Sequence, residues 1–134
     1  MGRKISRITM AVFYVFAGIN HFRNPGVYYT IIPSYLPNPV LINAASGVAE
    51  IVLGSLLVFS KTRRGATYGI IILLVAFIPA HIFMIQKGWC PGPGFCLPAW
   101  ATWLRLFPLQ FLLMWWAWWN QGNKNLSTGP FSVH

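Results

Sequence analysis

Four apolar runs, each long enough to cross a lipid bilayer as a helix, constrain this chain more than any other feature of its sequence. They cover residues 5–22, 40–59, 66–86 and 98–119. A transmembrane helix needs roughly 20 mostly apolar residues, because the hydrocarbon core is about 30 Å thick and a helix rises about 1.5 Å per residue. Alternating polar residues are absent from the runs, and an open sheet leaves backbone groups unpaired in lipid. The pattern therefore predicts an all-α membrane protein, a bundle of four transmembrane helices forming one domain over residues 1–120. Residues 121–134 read as a flexible polar tail.

Charge supports that reading. Only 8% of the 134 residues are charged, against about 25% in an ordinary soluble domain. Ten Lys and Arg face a single acid, Glu50. Such a chain is too apolar for disorder and too poor in charge for a water-soluble globule. The basic residues are spread thinly between apolar runs rather than gathered on one face, which argues against a nucleic-acid partner. Their distribution sets a topology instead. Arg3, Lys4, Arg7, Lys61, Arg63, Arg64 and Lys124 fall on one side of the bundle, and Arg23 and Lys87 on the other. The richer side marks the cytoplasm, so both termini are expected there. The first run lacks a small-residue cleavage site and reads as a retained span. Trp115, Trp116, Trp118 and Trp119 suit an interfacial belt.

Glu50 carries the most chemical information. A carboxylate near mid-bilayer costs about 2.5–3.5 kcal/mol on insertion scales, so it must be protonated, paired or facing water. Gly47, Glu50 and Gly54 share one helix face, and glycines there let a neighbouring backbone come close. Arg105 is the partner that depth counting favours, since Arg cannot shed its proton. His81 is expected at a depth similar to that of Arg105. Asn20 and His21 lie near the outer end of the first helix, with Tyr14, Gly18 and His21 on one face. Gln110 and Asn43 are further polar candidates. Most of these groups gather in the outer half of the bundle, where Pro79 and Pro108 would loosen the helices. Each also has a plain structural reading: a register-fixing ion pair, an interfacial histidine, a packing tryptophan.

The outer connections are unusual. Pro25, Pro33, Pro37 and Pro39 interrupt a segment holding Tyr28, Tyr29, Ile31, Ile32 and Tyr35, which should lie on the bilayer surface or fold over the bundle. Cys90 and Cys96 bracket a Pro-Gly loop on the outer, oxidising side, where a structural disulfide is expected and an exchanging pair is the alternative. No zinc-ligand spacing, phosphate-binding Gly loop or Ser–His–Asp set occurs, and no metal site is expected. Haem ligation by His21 and His81 is disfavoured, because the two are not clearly at one depth.

Gly18-Ile-Asn-His-Phe22 with Pro25, Ser46 through Gly54, Pro79-Ala-His-Ile-Phe-Met84 and Arg105-Leu-Phe-Pro-Leu-Gln110, in that order, resemble the DoxX-like family of small bacterial membrane proteins. The likeness spans roughly residues 7–119. It implies a four-helix bundle in the bacterial inner membrane with an intramembrane polar site. The family name descends from a subunit of a thiosulfate:quinone oxidoreductase, and related groups include a maturation factor for methylamine dehydrogenase and a chaperone for nicotinic receptors. Two departures stand out: His81 falls where the family pattern often has Asn, and the Cys90–Cys96 loop is no general family feature.

Three functions follow as expectations. An accessory membrane protein could hold a quinone-like or other small hydrophobic ligand at Glu50, His81 and Arg105, with Glu50 or His81 exchanging the proton that accompanies reduction. An assembly factor or subunit, alone or as a homo-oligomer, would use the Glu–Arg pair as structure and present its outer surface to a membrane-protein partner. Thiol–disulfide exchange through Cys90 and Cys96 is the third. A transporter is disfavoured, since one four-helix unit is small for alternating access. No motif assigns a reaction.

Overall fold

The computed structural model describes residues 2–92 and 94–121. The expected polar tail beyond Gln121 lies outside the described residues. The chain runs from α1 (Gly2–Arg23) through a short α2 (Pro25–Tyr29) to α3 (Pro39–Leu56), then α4 (Arg63–Ala76) and α5 (Ile78–Lys87). A hairpin of β1 (Trp89–Gly92) and β2 (Phe95–Leu97) leads to α6 (Ala99–Leu104), a π-turn over Arg105–Leu109, and α7 (Gln110–Asn120). The fold is mostly helical. Two helices are long and apolar enough to cross a membrane: Pro39–Leu56, and Arg63–Lys87, in which α4 and α5 run on through Phe77.

Local chemistry explains the starts and breaks. The Asn38 side chain accepts a hydrogen bond from Leu41 N at 3.2 Å, and Pro39 begins α3 where its missing N–H costs nothing. The second helix stops at Leu56, three residues before the end expected at 59, because Thr62 Oγ1 turns back to donate to Leu56 O at 2.8 Å. The fourth run is three pieces rather than one helix over 98–119. Phe107 is extended (φ −139°, ψ 116°) immediately before Pro108, where a helical conformation of the preceding residue is disfavoured.

The sequence pattern predicts no strands, and the β1–β2 hairpin corrects that. It pairs Trp89 with Leu97 and Gly92 with Phe95, antiparallel. Turn-forming Pro and Gly between Cys90 and Cys96 reverse the chain, and the disulfide between the two cysteines holds the arms together.

The most extensive helix contact is α1 against α3, and glycine permits it. A Cβ on Gly18 would stand 2.6 Å from Gly47 O, and one on Gly47 would stand 2.9 Å from His21 Cβ. Gly54 is similarly closed in by Ala11 O and the Tyr14 side chain at 3.1 Å. Met10, Ala11, Tyr14, Leu57, Ala66, Ile70, Leu74 and Ala117 form the apolar core. The start of α1 is tied to α7 by Arg7 Nε donating to Asn120 O at 3.0 Å and Trp116 Nε1 donating to Ser6 Oγ at 2.7 Å.

Polarity runs the opposite way from that of a soluble domain. His21, Asn43, Glu50, Thr67, His81, Thr102, Gln110 and Asn120 are buried, while Phe16 and Ile72 are each 68% exposed. Ile8, Val12, Val48, Val52, Val75, Phe111 and Leu112 join them on the outside. Apolar surface on that scale needs a partner or a lipid phase.

Candidate functional site

The connection between α1 and α3 folds over the helices. Tyr28, Ile31, Ile32, Pro33 and Leu36 form the roof of a cavity of about 230 Å³. Ala17 and His21 of α1, Ile42, Asn43, Ser46 and Glu50 of α3, Leu73 and Ala76 of α4, and Pro79, Ala80 and His81 of α5 make its walls, and Arg105 reaches it from the π-turn. Most of that lining is apolar. The polar groups are few and convergent, the usual composition of a small-molecule site.

His21 organises the polar end. Its Nδ1 lies 2.6 Å from Asn43 Oδ1, and Asn43 Nδ2 donates to the His21 carbonyl at 2.9 Å. Its Nε2 lies 3.3 Å from Glu50 Oε2, with both side chains almost wholly enclosed. The Tyr28 ring stacks on the imidazole at a centroid distance of 3.7 Å and an interplanar angle of 20°. Asn20 Nδ2 donates to Tyr28 OH at 2.8 Å and is itself braced by Asn24 at 2.7 Å. Burial holds the Tyr28 phenol above its ordinary range, and the hydrogen bond from Asn20 pulls the other way. Thr30, next to the roof, accepts from Trp89 Nε1 at 3.1 Å, so the disulfide-closed hairpin is pinned to the roof segment.

The residues singled out in the sequence separate into three groups. Glu50, His81, Arg105 and His21 line the one cavity. Asn20 stands one hydrogen bond behind it, through Tyr28. Tyr14 and Gln110 belong elsewhere: Tyr14 is 1% exposed in the apolar core, and Gln110 is fully buried with its amide donating to Leu74 O. The titratable side chain within 4 Å of Glu50 is His21, not Arg105. The Gly18–Gly47 contact explains this, because it sets His21 one turn from Glu50 across the α1–α3 seam. Tyr28 and Asn43 matter more than their sequence context suggests. Asn43 is one turn before Gly47 on the face that carries Glu50, and that spacing is the available signal.

Several buried polar atoms lack partners among the described residues, notably Glu50 Oε2, His81 Nδ1 and Tyr14 OH. Unsatisfied atoms at a cavity wall mark where a ligand or water can bond. His21 Nδ1 is engaged by Asn43 and its Nε2 faces Glu50 Oε2 at 3.3 Å, whereas His81 Nδ1 meets no partner among the described residues. Among the described residues no three His, Cys, Asp or Glu side chains gather to hold a metal ion.

Over residues 10–121 the chain matches the family model described as a domain of unknown function (DUF8561). It belongs to this family. The match takes in every wall and roof residue of the cavity, so the site lies within the family domain. No curated protein and no solved structure matches the chain.

Proposed function

We propose that this chain is an accessory protein of the bacterial inner membrane, a bundle of four spans with both termini cytoplasmic, whose outer-half cavity binds the ring of a small hydrophobic ligand of the quinone class. The apolar outer surface and the Lys and Arg asymmetry support the membrane topology. The resemblance to DoxX-like proteins points the same way.

One observation carries the ligand reading: Glu50, His21, His81 and Arg105 converge in one cavity with otherwise apolar walls. A cavity of about 150 Å³ holds benzene, so about 230 Å³ has room for one substituted ring. Arg105 supplies N–H donors for a ring carbonyl oxygen, and its permanent charge favours electron-rich oxygen. The His21–Glu50 pair can give or take a proton at the same ring. An apolar tail on the ring would leave toward lipid.

The test is titration of the purified protein, in detergent, with a short-chain ubiquinone, followed by tryptophan fluorescence. Saturable quenching is expected, weakened at least tenfold in Glu50→Gln and unchanged in Val52→Ala on the exposed face of α3. Unsaturable partitioning into the micelle, or unaltered affinity in Glu50→Gln, would refute the site.

A further inference from the structure

The hydrogen bonds around His21 fix more than its position. Asn43 Nδ2 donates to the His21 carbonyl, so Asn43 Oδ1 is the atom facing the imidazole. Turning the amide over would set two carbonyl oxygens 2.9 Å apart, each with no proton to share. His21 Nδ1 must then carry a hydrogen, because the group it meets among the described residues is an acceptor 2.6 Å away. A neutral imidazole with Nδ1–H has a bare lone pair at Nε2, and that nitrogen faces Glu50 Oε2 at 3.3 Å.

No hydrogen-bond donor meets Glu50 Oε2 among the described residues. A carboxylate oxygen that faces an imidazole lone pair, enclosed and without a donor, is unfavourable. One further proton relieves it, on Nε2 as an imidazolium–carboxylate pair or on the carboxyl as a neutral pair. The other polar neighbours do not supply it. Tyr28 covers the imidazole with its ring face and turns its hydroxyl to Asn20. Among the described residues no ion pair joins Arg105 to Glu50.

We propose that Asn43 is a positioning residue that locks His21 as the Nδ1–H tautomer, and that the His21–Glu50 pair therefore stores one exchangeable proton, on Nε2 or on the carboxylate. In the ligand reading above, on which this last clause rests, the pair presents that proton as a hydrogen-bond donor to an acceptor oxygen of the bound ring.

Nitrogen NMR of ligand-free protein labelled at its histidine side chains, with His21 assigned through His21→Gln, tests the lock. Infrared spectroscopy of the same sample reads Glu50. The wild type should show a protonated Nδ1 at His21 and one additional proton, seen either as Nε2–H or as a carboxylic-acid C=O band that Glu50→Gln removes. Asn43→Leu should lose the Nδ1 preference, and Asn43→Asp, which keeps the acceptor, should retain it. A wild-type His21 with Nδ1 bare, or a pair showing both extra protons or neither, would overturn the proposal. Because no ligand is present, failure here leaves measured quinone binding intact, and absence of quinone binding leaves the proton lock standing.

Discussion

The α1–α3 seam makes a prediction in which one substitution has opposite signs at two sites. Gly18→Ala places a Cβ 2.6 Å from Gly47 O and 2.6 Å from Ile51 Cγ1, with Ile51 N at 3.0 Å. Two of those three neighbours are backbone and cannot rotate away. The shortfall from ordinary carbon contact is about 0.8 Å, so the helices must part by roughly that distance. Overpacking of this kind costs about 1–3 kcal/mol, and rigid neighbours put Gly18 at the upper end. Alanine returns about 1 kcal/mol of helix propensity, leaving a net loss of about 1–2 kcal/mol. Gly65 in α4 has nothing within 4 Å of the same added atom. Gly65→Ala should therefore stabilise by up to about 1 kcal/mol. The two variants should differ by about 2–3 kcal/mol in equilibrium unfolding in mixed micelles, followed by circular dichroism. Separation of the seam would also open the 3.3 Å His21–Glu50 contact toward about 4 Å, so Gly18→Ala should weaken ligand binding where Gly65→Ala does not. Equal stability of the two variants would refute the close approach of α1 and α3.

Two further perturbations address the roof. Folding holds the Tyr28 phenol above its ordinary range, chiefly by burial, so the folded state keeps a proton that the unfolded chain releases. This contribution is complete below the unfolded value of about 10 and is lost as pH rises above it; thermal midpoints should fall over that window, less steeply in Tyr28→Phe. Reduction of the Cys90–Cys96 disulfide, which closes a separation of 6 residues, should free a hairpin worth about 2 kcal/mol of loop constraint and leave the helices intact. Amide exchange should quicken at residues 89–97 and at Thr30, whose hydroxyl accepts from Trp89, with no change in α1 or α3.

Helical periodicity makes both halves of the seam legible in the sequence. Gly47, Glu50 and Gly54 mark one face of α3, and Tyr14, Gly18 and His21 mark one face of α1; the fold brings those two faces together. Their mutual pairing is not legible, because periodicity describes one helix at a time. Depth counting places Arg105 by assuming 1.5 Å per residue along a regular helix. That count runs through regular α6 as far as Arg105 and ends beyond it, at the π-turn and extended Phe107. Gln110, beyond the break, accordingly caps Leu74 O rather than joining the cavity. The roof is legible only as two options, since proline and aromatic content fits either a surface segment or a cover. The stacking of Tyr28 on His21 and the Asn20 bond select the cover, and both contacts depend on where α2 turns after Arg23.

The identity of Glu50's partner decides what the polar cluster can do. With Arg105 the acid would form a fixed ion pair, because the guanidinium keeps its proton and the carboxylate stays charged; such a pair orders helices and exchanges nothing. With His21 the same acid shares a group whose two nitrogens have different tasks. Nδ1 is held by Asn43, and Nε2 is left to trade a proton with the carboxylate. Arg105 lines the same cavity and, among the described residues, forms no ion pair with Glu50. A fixed cation and a separate one-proton pair in one small apolar cavity are more than helix register requires. The glycines that close the α1–α3 seam are therefore tied to the chemistry as well as to the packing, since a side chain there would draw His21 away from Glu50.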